Sequence, residues 1–186
     1  MKKFFILACL SLLAASCTQQ QPRRPVEVKS GSFLKQSAAR NKQLLAREET
    51  LMQELIARDS LHRYLDSSSG FRFYYNSRQA EGVYLPGTDD WVTLTYDLRT
   101  WNEDTLYTRE ETGVIRYKVD KMELFPGLRA SVKMLGEGET ATFLYPSSLA
   151  FGYHGDNDRI GPNVPLKCTL TVLEIEKQTD ENHDEN

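Results

Sequence analysis

From Gly70 to Val172 the chain returns repeatedly to one pattern, apolar and polar residues in alternation, and that pattern confines it to a sheet-dominated fold. Val92, Leu94, Tyr96 and Leu98 fall on one face of a strand, with Thr93, Thr95 and Asp97 on the other. Ile115, Tyr117 and Val119 repeat the period, as do Ala141, Phe143 and Tyr145, and then Leu166, Cys168, Leu170 and Val172. Gly70-Phe71-Arg72-Phe73-Tyr74-Tyr75 reads as a further strand, rich in aromatics. Gly82 and Pro86-Gly87 mark turns. One segment breaks the period of two. Leu128, Val132 and Leu135 recur at helical spacing behind Pro126-Gly127, and proline suits a first helical turn, where its missing N–H would be unpaired anyway. Gly136 and Gly138 end that segment. The pattern predicts an α+β domain over residues 67–177, an antiparallel sheet wrapped on one short helix.

Ahead of the sheet, the run from Phe33 to Leu65 holds neither proline nor glycine. Leu45, Met52 and Ile56, like Leu44, Leu51 and Leu55, recur at spacings of seven and four, backed by Arg47, Glu48, Glu49, Glu54 and Arg58. This predicts a helical extension over 33–66 with a broad apolar stripe. The stripe has to be covered, either by its own domain or by a partner or second copy, and the sequence leaves both open. Further upstream, Lys2-Lys3 precedes an apolar run from Phe4 to Ala15, too short to cross a bilayer as a helix, which takes about 20 residues. With Ala14-Ala15-Ser16 before Cys17, residues 1–16 read as a signal peptide. Cleavage before a cysteine is how bacterial lipoproteins are made, so Cys17 is the expected lipidation site. Plain secretion with a free Cys17 is the alternative. Residues 17–32 are then a lipid-anchored polar linker and 178–186 an acidic, solvated tail. The expected place is the cell envelope, periplasm-facing or at the outer membrane, held by the N-terminal lipid.

Charge and motifs remove whole classes of chemistry. With 23 basic against 26 acidic residues, the chain has no electrostatic footprint for nucleic acid. Three histidines, at 62, 154 and 183, lack metal-pair spacing, and H-E-x-x-H, C-x-x-C and G-x-S-x-G are absent. Gly136-Glu-Gly138-Glu has no phosphate-loop lysine, and Asp156-Asn157-Asp158 lacks the glycine and glutamate of a calcium loop. No metal or cofactor is expected. Of three cysteines, Cys9 leaves with the signal and Cys17 carries lipid. Cys168 remains alone on an apolar strand face, which suits a buried thiol better than a nucleophile. What is left is apolar and aromatic, without titratable partners, and fits a reaction that needs no proton transfer. Rotation about an X–Pro bond is one: its barrier is about 18–20 kcal/mol because the amide must lose resonance.

The motifs then bear a resemblance. Leu124-Phe125-Pro126-Gly127-Leu128, followed by Leu135-Gly136-Glu137-Gly138-Glu139, resembles the V-I-P-G-W … G core of FKBP-type peptidyl-prolyl isomerases. The stretch Phe143 to Gly152 is similar to the family's I-P-P-E-L-A-Y-G, and Ile160-Gly161-Pro162-Asn163-Val164-Pro165-Leu166 to its I-P-P-N-A-T-L. Val92 to Tyr96 matches the second strand. The expected lipid site, the helical extension, Val119-Asp120-Lys121 and Gly152-Tyr153-His154-Gly155-Asp156 further resemble the lipid-anchored, gliding-motility-associated FKBP subgroup of bacteria. The resemblance implies action on proline-containing polypeptides in a pocket whose catalytic residues are Tyr96, Phe125, Leu128 and Phe151. Its substrate-binding residues are Leu106, Ile115, Leu124, Ile160 and Cys168, and the Phe125 N–H would bond a substrate carbonyl. Leu128 stands where the family usually has tryptophan, Leu106-Tyr107 where its strongest members read Phe-Asp, Phe151 for a tyrosine and Cys168 for a phenylalanine. Those departures imply a shallower or wider pocket with weak proline affinity. They keep two other readings open: an FKBP-like binding or chaperone module of little activity, and a structural subunit of an envelope machine.

Overall fold

The computed structural model describes residues 30–79 and 82–178, with side chains from residue 34. The expected signal peptide, Cys17, most of the linker and the tail from residue 179 lie outside the described residues. Helix α1 spans Ser30–Arg58, so it begins inside the segment expected as linker and stops short of the expected end at 66. The early stop has a local cause. Asp59 N–H still bonds the carbonyls of Leu55 and Ile56, but its side-chain Oδ1 accepts the N–H groups of Leu61 and His62 and turns the chain out of the helix. Leu65–Asp66 then pairs as a two-residue strand, β1, and belongs to the sheet.

The other elements follow as β2 (Arg72–Ser77), β3 (Trp91–Thr100), β4 (Thr105–Tyr107), the single-turn helix α2 (Arg109–Thr112), β5 (Ile115–Lys118), helix α3 (Pro126–Val132), β6 (Thr140–Tyr145) and β7 (Leu166–Glu176). Among the described residues the seven strands form one sheet in the order β1-β2-β6-β7-β3-β4, with β5 also on β3, and every pairing is antiparallel. Long β7 lies in the middle, with Cys168 opposite Leu98 of β3 and Phe143 of β6. The predicted α+β class and its single short core helix are what the structure has. Gln178, expected to open the tail, is tied down: its N–H donates to Asp90 Oδ1 at 2.7 Å.

Alternation puts the predicted apolar residues on one sheet face. Phe71, Phe73, Val92, Leu94, Leu98, Tyr117, Phe143, Leu166, Leu170 and Val172 are buried there under Leu128 and Val132 of α3. The opposite face is half-covered by α1. Met52 is buried, with Leu55 and Ile56 beside it, against Leu144 and Trp101, and the Trp101 indole N–H satisfies itself on the Leu166 carbonyl at 3.0 Å. The apolar stripe of α1 is therefore divided. Its Met52–Ile56 side serves the protein's own sheet, while Leu45 and Leu51 face solvent.

Candidate functional site

The entry to α3 fixes the first part of the site. Phe125 is its N-cap residue, with extended backbone at φ −63° and ψ 150°, and Pro126 supplies the first helical position. No side chain caps this end, and the Phe125 N–H makes no hydrogen bond among the described residues. Gly127 lets the helix lie directly on β6, since a Cβ there would come within 2.6 Å of the Tyr145 ring. The Tyr145 hydroxyl in turn donates to Ser131 Oγ at 2.7 Å, so β6 holds the helix at two points. This seats the Phe125 ring edge-on to Tyr145 at 5.5 Å and beside Phe151 at 5.2 Å.

Strands and loops converge on that pair. Tyr96 comes from β3, Leu106 from β4, Ile115 from β5, Leu124 from the approach to α3, and Phe151 and Ile160 from the β6–β7 connection. All nine residues expected at a proline pocket lie in or against one apolar cluster. They divide by depth. Leu128 and Cys168 are wholly buried, Ile160 is 2% and Phe125 9% exposed, whereas Tyr96, Leu106, Ile115, Leu124 and Phe151 are half-buried. Leu128 and Cys168 are thus closed off from solvent, and the half-buried residues are the ones a ligand can reach. Burial pushes the Tyr96 hydroxyl and the Cys168 thiol above their ordinary pKa values, so both stay protonated at neutral pH and neither is a base. The Tyr96 hydroxyl has no hydrogen-bond partner among the described residues. The site thus offers two directed donors, the Tyr96 O–H and the Phe125 N–H, in apolar surroundings. Among the described residues no three His, Cys, Asp or Glu side chains converge as metal ligands.

A polar clamp closes one end of the ring. The Tyr107 hydroxyl donates to Asp156 Oδ2 at 2.5 Å and lies 3.2 Å from Asp158. That contact lifts the tyrosine to about 12. Burial pushes the Asp156 carboxyl up, but Tyr107 and the N–H groups of Asp158 and Ile160 together hold it below its ordinary value. The Asp156-Asn157-Asp158 turn, exposed at Asn157 and Asp158, is thus tied down through Asp156. Gly155 makes its tight path feasible: φ is +69°, and a Cβ would lie 2.1 Å from the Ile160 carbonyl. Arg159 then spans the rim, donating to the Leu106 carbonyl at 2.8 Å and to Glu111 at 2.6 Å, with its guanidinium 4.8 Å over the Tyr107 ring. An acidic group is thus present after all, brought by the β6–β7 connection instead of following Leu106. Sequence reasoning missed Glu111 and Arg159. For Glu111 a signal exists, since Thr108-Arg-Glu-Glu111 is a capping box and both of its bonds form. The same turn steadies Tyr96, whose carbonyl accepts the Thr112 hydroxyl at 2.6 Å.

Residues 84–173 match the model of the family described as FKBP-type peptidyl-prolyl cis-trans isomerase. A curated relative from Neisseria meningitidis, a probable FKBP-type peptidyl-prolyl cis-trans isomerase called FkpA, is 31% identical over 129 residues, or 68% of this chain. The chain spans 44% of that relative's length. Two solved structures share the fold at 18% identity. One is a peptidyl-prolyl cis-trans isomerase from Pseudomonas syringae, with a TM-score of 0.58 over 73% of this chain and 96% of that one. The other is FkpA from Escherichia coli, with a TM-score of 0.57 over 95% of this chain and 82% of that one.

Proposed function

We propose that this chain, whose residues 84–173 match the FKBP-type peptidyl-prolyl cis-trans isomerase model, is such an isomerase and rotates X–Pro bonds of polypeptides folding outside the cytoplasm. One observation supports the reading: nine residues of one apolar cluster, none with an ionised side chain, in which the Tyr96 hydroxyl and the Phe125 N–H have no hydrogen-bond partner among the described residues. The proline ring rests among Phe125, Phe151, Tyr96 and Ile160 above Leu128. The Phe125 N–H holds a substrate carbonyl, fixing one side of the bond while the other turns. As the amide rotates, nitrogen and carbonyl lose conjugation and the group becomes less polar. Dry walls favour that twisted form over the planar one, which water solvates better. No proton moves, in keeping with a tyrosine and a thiol that both stay neutral.

The fuller placement belongs to the same proposal. Ala14-Ala15-Ser16-Cys17 supports a lipid on Cys17 and a position in the cell envelope, and the Gly152–Asp156 string supports membership of the lipid-anchored, gliding-motility-associated subgroup. Replacing Cys17 by alanine is expected to move the protein from the membrane to the soluble periplasmic fraction. The activity test is refolding of a protein whose slow phase is proline isomerisation, which uncatalysed takes roughly 10–100 s. Acceleration by this protein, lost in Tyr96→Ala, is the expected result. No acceleration at micromolar protein favours a second reading, a binding module. The small Leu128 floor supports that alternative, since an aromatic side chain there would supply about 150–250 Å² of buried surface.

A further inference from the structure

Behind the segment that carries Phe151 lies a second concavity, a groove of about 360 Å³ between α1 and residues 147–153. Leu44, Leu45 and Tyr153 make its apolar wall, and Leu45 and Tyr153 are 50% and 75% exposed. Glu48 borders it and is itself only 4% exposed. One Glu48 oxygen accepts the Ser147 N–H at 2.9 Å, while the other is buried with no hydrogen-bond partner. A buried carboxylate oxygen without a donor is costly, and a ligand bringing an N–H into the groove removes that cost. The volume lies within the range of about 300–1,000 Å³ that small binding sites occupy.

We propose that this groove holds a stretch of client polypeptide flanking the isomerised proline, recognised by one apolar side chain and one N–H donor. Continuity supplies the first argument. Phe151 packs beside Phe125 at 5.2 Å, and the next two residues, Gly152 and Tyr153, line the groove. A chain lying over Phe151 therefore runs about two residues, or about 7 Å, from Tyr153. Chemistry supplies the second. An aliphatic or aromatic side chain fits between Leu45 and Tyr153, and a main-chain N–H or a lysine ammonium completes Glu48. The Glu48 carboxylate tells against an anionic segment, and Lys42, also at the groove, favours a main-chain N–H over an ammonium as the donor. The inference rests on the isomerase reading for its position along the client, but binding in the groove is independent of catalysis.

The test uses the full mature chain as purified from cells and a fluorescein-labelled dodecapeptide containing Leu-Leu-Lys and no proline, titrated by fluorescence anisotropy. Saturable binding is expected, weakened about tenfold by Leu45→Glu, a change at an exposed position that leaves the melting temperature in place. Glu48→Gln keeps an acceptor for Ser147 but puts an amide NH2 where the free oxygen stood. It is expected to weaken the peptide severalfold while melting no lower than the wild type. Absence of binding, or binding indifferent to Leu45→Glu, overturns the proposal. So does sedimentation showing that the protein pairs with itself through this face and that Leu45→Glu abolishes the pairing. If the peptide binds but refolding is not accelerated, the groove stands and the isomerase reading falls; the reverse result removes the groove alone.

Discussion

A side chain at position 127 would have nowhere to go: the Tyr145 ring lies 2.6 Å and the Leu149 carbonyl 2.9 Å from where its Cβ would stand. Gly127→Ala should therefore push α3 off β6 and cost about 1–3 kcal/mol in urea unfolding, the range for overpacking a dense interior. Because Phe125 starts that helix, catalysis should fall with it. A different residue sets the opposite end of the ring. Removing the guanidinium in Arg159→Met releases the Leu106 carbonyl and Glu111 together. The expected result is a severalfold rise in KM with little change in kcat, and partial rescue by Arg159→Lys, which keeps a charge but not the fork or the stacking. A matching loss in kcat would argue that Arg159 acts on the rotating bond itself. The nine expected pocket positions came from the family resemblance, and one apolar cluster gathers them. The clamp was not legible in the sequence: Tyr107 meets Asp156 across 49 residues, and Arg159 meets Glu111 across 48, separations at which no periodicity carries information.

Elements were read as far as their length allowed. Ten-residue β3 and eleven-residue β7 declare themselves by alternation, whereas β4 with three residues and β1 with two are too short to show a period. Helix α1 was visible from its stripe, but its end was hidden in one side chain, Asp59, and not in any breaker residue. Met52→Ala should show what the helix contributes: Met52 is buried on the outer face of the sheet, and its loss should cost about 2–5 kcal/mol by urea titration. Asp59 adds a pH dependence. The hydrogen bond with His62, then the Leu61 N–H and the Tyr64 hydroxyl, draws its carboxyl down to about 2. A carboxyl lowered in the folded state stabilises fully above its unfolded pKa and loses that contribution as pH falls. Thermal midpoints should therefore decline between about pH 4 and pH 2 more steeply in the wild type than in Asp59→Asn. Parallel curves for the two would remove Asp59 from the account.

At the scale of the molecule, stability should be graded from the middle of the sheet outward. β7 is paired along both edges, to β3 and β6, while β1 and β4 are short margins. Native-state hydrogen exchange is expected to leave the β3, β6 and β7 amides for last and to release those of β1 and β4 early. Uniform exchange across the sheet would show that the margins are not separately loose. The fold class followed from a single alternating pattern because antiparallel sheets with one buried face repeat it strand after strand. The strand order did not, since it depends on long pairings such as Thr140 with Thr171. The burial of Cys168 in the central strand also gives the protein a built-in stopwatch. With Cys9 and Cys17 both changed to serine, a thiol-reactive dye has nothing else to label. Since no solvent touches that sulfur while the sheet is intact, the pace of colour development counts openings of the whole domain, and a ligand that holds the domain shut will slow the clock.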